Sequence, residues 1–118
     1  MSLHWVLLLG VALNGLGALL IATTTVREMS SVQAPEDYWQ VKLFFAGTAA
    51  TFGAMYLYLF VHQEYVWPFL IFGAALKTWA FLLAIILHLL GKISKAGLIS
   101  FGLTNGIIAA AFWIYLLT

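Results

Sequence analysis

Four nearly uncharged apolar runs, each about twenty residues or longer, occupy most of this 118-residue chain. They are Leu3–Thr24, Trp39–Val61, Val66–Leu90 and Gly97–Leu117. A helix needs about 20 mostly apolar residues to cross a hydrocarbon core. Lipid offers no partner for backbone N–H and C=O groups, so a spanning segment must satisfy them internally. The runs therefore predict an all-α fold: an integral membrane antiparallel four-helix bundle forming one transmembrane domain over residues 1–118. Composition agrees. Only 8% of the residues are charged, against roughly 25% in soluble domains, so no water-facing surface can be built. The chain is expected to be a multi-pass protein of the bacterial inner (plasma) membrane.

The first run lacks a basic leader and exceeds the roughly 7–15 residues of a signal-peptide core, so it is expected to stay as a spanning helix. The first loop, Val26–Tyr38, contains Pro35 followed by Glu36 and Asp37. Proline suits a first helical position and acids suit the positive end of the helix dipole, so the second helix is expected to start there. The second loop is a tight His62-Gln63-Glu64-Tyr65, with Pro68 opening the third helix, and Gly91–Lys95 forms the third. Arg27, Lys42, Lys92 and Lys95 all flank the first and third loops. The positive-inside rule puts those loops in the cytoplasm and both termini outside. Trp5, Tyr65, Trp67, Trp113 and Tyr115 then fall near the outer interface, and Tyr38 and Trp39 near the inner one, as ordinary aromatic belts.

Lipid gives helices no hydrophobic reason to associate, so small residues must let backbones approach. Gly102, Gly106 and Ala110 provide such a seam in the fourth helix, Gly10, Asn14 and Gly17 in the first, and Gly47, Thr51 and Ala54 in the second. Asn14-Gly15 and Asn105-Gly106 both lie well inside the membrane. Buried amides need hydrogen-bond partners, which makes Asn14 and Asn105 interhelical clamps or the polar lining of a ligand cavity.

Several chemistries are excluded. Five basic residues against four acidic ones leave no basic stripe for phosphates, so nucleic acid is not a partner. With no cysteine, disulfides, thiolate catalysis and iron–sulfur ligation are out. No glycine-rich phosphate loop, Gly-x-Ser-x-Gly or paired carboxylates occur, and Ser30 and Ser31 have no base nearby. No catalytic residue is assigned, and the reading leans away from an enzyme.

Lys77 stands out. It lies about ten residues into the third run, roughly 15 Å deep, where a charge costs about 2.5–3.5 kcal/mol on insertion scales. No run contains an Asp or Glu to pair with it. Snorkelling or water within the bundle would relieve it; so would an anionic ligand, a lipid acid group or an acidic residue of another subunit. His88 follows after about 1,100° of helical rotation, so Lys77, Phe81, Ala84 and His88 share a stripe that would line a cavity or, at His88, meet headgroups. His4, His62 and Glu64 gather at the outer face and are candidate metal ligands, without a recognisable motif spacing. A haem or pigment on one histidine stays open, and no cofactor is specified.

Phe72-Gly73-Ala74-Ala75-Leu76-Lys77-Thr78-Trp79, Asn105-Gly106 and Phe112-Trp113-Ile114-Tyr115-Leu116 resemble small four-helix DoxX-like membrane proteins. The resemblance implies the architecture and, through some members, an association with redox or respiratory membranes. The small multidrug transporters share length and span number, but where their first helix carries a membrane glutamate this chain has Asn14. Three functions compete. The leading expectation is a non-catalytic subunit or assembly factor of a larger membrane complex, in a homo- or hetero-oligomer. The second is a binder or transporter of a small anionic or lipid-like molecule at Lys77, and the third a cofactor-binding membrane enzyme.

Overall fold

A computed structural model describes residues 3–118. Among them there is no strand, and four helices are long and apolar enough to cross a membrane: α1 (Val6–Glu28), α2 (Tyr38–Val61), α3 (Val66–Leu89) and α4 (Lys95–Leu117). α1 continues past Thr24 to include Arg27 and Glu28, where the Glu28 carbonyl accepts from the N–H groups of Ser31 and Val32 at 3.0 and 2.8 Å. α2 begins at Tyr38, later than the expected start at Pro35. Pro35 instead closes a turn, its carbonyl accepting from Tyr38 N–H at 3.1 Å, and Asp37 sits at φ 68. That left-handed geometry interrupts a helix, and Asp tolerates it better than most residues.

A 3-10 turn, Gln63–Tyr65, joins α2 to α3. Pro68 falls in the first turn of α3, where its missing N–H deprives no carbonyl. Gly91 leaves α3 at φ 70, the left-handed exit that glycine makes without strain. Ser94 then caps α4, its hydroxyl accepting from Gly97 N–H at 3.0 Å. α4 is not uniform: Leu98–Leu103 winds as a π-helix before the α pattern resumes at Thr104. The uninterrupted apolar run gave no sign of this.

α1 packs most extensively on α2, and α3 on α4. The two pairs are locked together at one end. There Tyr56 is 0% exposed, its ring 5.0 Å from that of Phe112, among Leu7, Leu59, Leu70 and Leu116. Glycines make room for it: a methyl group added at Gly10 or Gly73 would stand 2.8 or 2.7 Å from the Tyr56 ring. On α4, Gly102 seats Ala84 and Gly106 seats Phe81, with added methyls only 2.7 and 2.5 Å away.

Two of the expected seam positions are not close-packed. Gly17 and Gly47 have nothing within 4 Å of an added methyl, because the close approach of α1 to α2 runs instead through Gly53, which lies against Asn14. Trp113, expected in the outer aromatic belt, also makes a directed contact with α3. Its indole donates to the Thr78 hydroxyl at 2.9 Å, since a half-buried N–H needs an acceptor.

Candidate functional site: a polar pair at the head of an interhelical cleft

Away from the Tyr56 end the helix pairs separate around a cleft of about 630 Å³, walled by all four helices. That volume lies within the range of small-molecule sites. Its walls are mostly aliphatic and aromatic, with Leu20, Phe44, Phe45, Trp79 and Phe101 prominent. Several wall residues face outward as well: Leu16 is 66% exposed and Phe44 76%. In a bilayer the cleft is therefore open to lipid along its flank.

Lys77 and Asn14 line this cleft and are nearly enclosed, at 8% and 5% exposure. Asn14 Nδ2 donates to the Ala49 carbonyl on α2 at 2.9 Å. That bond fixes which way the amide faces, so Oδ1 is left to accept from Lys77 Nζ on α3. One asparagine thus ties together α1, α2 and α3. No other acceptor meets the Lys77 ammonium among the described residues. The only acid in the four helices is Glu28, in the last turn of α1. The group therefore keeps N–H donors to offer a molecule in the cleft.

Asn105 lines the same cleft but does not clamp helices. Its Nδ2 donates at 2.7 Å to the Phe101 carbonyl of its own helix. Its neighbours on the wall, Ser100 and Thr104, lie in or beside the π-helical turn. Together with Thr48 of α2 they are wall residues that reading the sequence missed. The available signal was the spacing of Ser100 from the adjacent Thr104 and Asn105, about one turn on in an otherwise apolar run.

The stripe through Lys77, Phe81, Ala84 and His88 does not line the cleft as a unit. Phe81 and Ala84 are taken up by Gly106 and Gly102 of α4, so only Lys77 reaches inward. His88 is half-buried near the end of α3, and its Nδ1 has no partner among the described residues. At the other end, the His4 ring lies 5.2 Å from that of Phe60, and the His62 ring stacks on Tyr58 at 4.3 Å. Glu64 is exposed in the 3-10 turn. Among the described residues no three such side chains converge on a metal position. A second, shallower groove of about 530 Å³ between α1 and α2 is lined entirely by apolar residues, from Val11 to Leu57. It offers no directed contact. No family model, curated protein or solved structure matches the chain.

Proposed function

We propose that this protein is a membrane binder or transporter of a small amphiphilic anion, whose acid group meets Lys77 while its apolar body lies along the cleft. The observation that carries this reading is the pairing of Lys77 with Asn14 at the head of an apolar cleft open to lipid. An ammonium at that depth costs about 2.5–3.5 kcal/mol, and an anion in the cleft offsets that cost while satisfying the remaining N–H donors. The geometry favours this reading over a purely structural subunit, because an assembly role needs neither a cleft nor a cation set at its head. An oligomer, with copies of itself or other membrane subunits, is compatible with it.

The reading includes an antiparallel bundle in the bacterial plasma membrane with both termini outside. The cleft half then lies toward the cytoplasm, on the side of Arg27, Lys92 and Lys95, as positive-inside bias requires. The decisive experiment is native mass spectrometry of the protein released gently from its own membrane, beside the Lys77→Met variant. The expected result is a retained acidic small molecule on the wild type that is lost from the variant. A wild type carrying no such mass, or a variant carrying the same one, would overturn the reading.

A further inference from the structure

The cleft wall has a donor–acceptor polarity that narrows what can occupy it. At the head, Lys77 supplies N–H donors and nothing that accepts. Farther along, acceptors predominate. Thr48 Oγ1 donates to the Phe44 carbonyl at 2.9 Å, Thr104 Oγ1 to the Ser100 carbonyl at 2.7 Å, and Asn105 Nδ2 to the Phe101 carbonyl at 2.7 Å. Each of these hydroxyls has spent its only proton on its own helix, and the Asn105 amide has committed one of its two. What the threonines present to the cleft is lone pairs, and the Asn105 carbonyl oxygen accepts as well, beside the second Asn105 N–H and the Ser100 hydroxyl.

The two regions are separated along the helices. Gly106 seats Phe81, so the neighbouring Asn105 stands near the level of Phe81. Phe81 is one turn, about 6 Å, beyond Lys77 along α3 at 1.5 Å per residue. Ser100 and Phe101, within the π-helical turn Leu98–Leu103, belong to the same wall, and such turns recur at functional sites.

Resting on the proposed function above, we infer that the preferred ligand is a hydroxylated acidic amphiphile: an acid group at Lys77, and a hydroxyl about one helical turn away that donates to Asn105 or Thr104. A plain fatty acid satisfies the head and leaves the acceptors facing methylenes. A hydroxyl placed at that reach satisfies both.

The test titrates the full-length protein in detergent with three probes, hexadecanoate, 6-hydroxyhexadecanoate and 6-methoxyhexadecanoate, and reads bound fractions by native mass spectrometry. The methyl ether keeps the oxygen but has no proton to donate. The hydroxy acid is expected to bind about fivefold more tightly than the other two, the worth of one net hydrogen bond. That advantage should vanish in Asn105→Leu combined with Thr104→Val, while hexadecanoate binding persists there and shows that the variant is folded. Equal affinities for all three acids, each lost in Lys77→Met, would overturn the hydroxyl inference and leave the anion site standing. No Lys77-dependent binding of any probe would overturn both.

Discussion

Asn14 decides how the buried cation is tolerated, because its amide is held by the Ala49 carbonyl and can only accept from Lys77. Replacing Asn14 by Leu strands an ammonium without its acceptor. Hydrogen bonds to charged groups contribute about 1.5–3 kcal/mol, so Asn14→Leu should lower stability by roughly 2 kcal/mol in a thermal melt in detergent. Lys77→Met removes the charge and its desolvation cost together, and apolar replacements of buried charges are often neutral or stabilising. Lys77→Met should therefore melt at or above the wild type, and the double variant should recover most of what Asn14→Leu loses. A double variant as unstable as Asn14→Leu would contradict the pairing. Lys77 and Asn14 were legible in the sequence as polar residues at membrane depth, since the cost of burying them is readable from position alone. Their mutual contact was not, because 63 residues separate them and only the assembly of the two helix pairs into one bundle brings them together.

At the scale of elements, glycines decide where helices touch, and not every glycine does so. Gly10 and Gly73 enclose the Tyr56 ring, whereas Gly17 and Gly47 border open space. Gly10→Ala or Gly73→Ala forces a methyl into a fully buried aromatic and should cost about 1–3 kcal/mol. Gly17→Ala and Gly47→Ala should be neutral, or stabilising by no more than the ~1 kcal/mol separating alanine from glycine in a helix. Parallel melting curves of the four variants check this, and equal losses at all four sites would contradict it. Spacing alone proposed Gly10, Gly17, Gly47, Gly102 and Gly106 alike, because a four-residue repeat marks one helix face without saying what stands opposite. Tyr56 and Gly73 belonged to no such repeat. Helix existence, by contrast, followed from length and apolarity, and the errors are confined to ends: Pro35 in a turn instead of the first helical position, and α1 running on to Glu28. The π turn of α4 was invisible because no residue within Leu98–Leu103 forbids an α-helix.

The molecule as a whole has a sealed end around Tyr56 and an open cleft at the other, which the proposed topology turns toward the cytoplasm. Its orientation can be checked cleanly because the chain has no cysteine of its own. Single cysteines at Ser31 or Ile93 should react with a membrane-impermeant maleimide only from the cytoplasmic side, and one at Glu64 only from outside. Opposite labelling would invert the proposed topology. The number of spans and the bias of Arg27, Lys42, Lys92 and Lys95 were plain in the sequence, whereas the cleft was not, since a cavity is a property of four helices together. The most direct test of the central claim is photo-crosslinking with a fatty acid carrying a diazirine near its tail. Adducts are expected on cleft-wall residues such as Phe44, Leu83 and Phe101 and should fall at least tenfold in Lys77→Met. Adducts spread over outward faces such as Leu9 and Ile114, unchanged in the variant, would contradict the account.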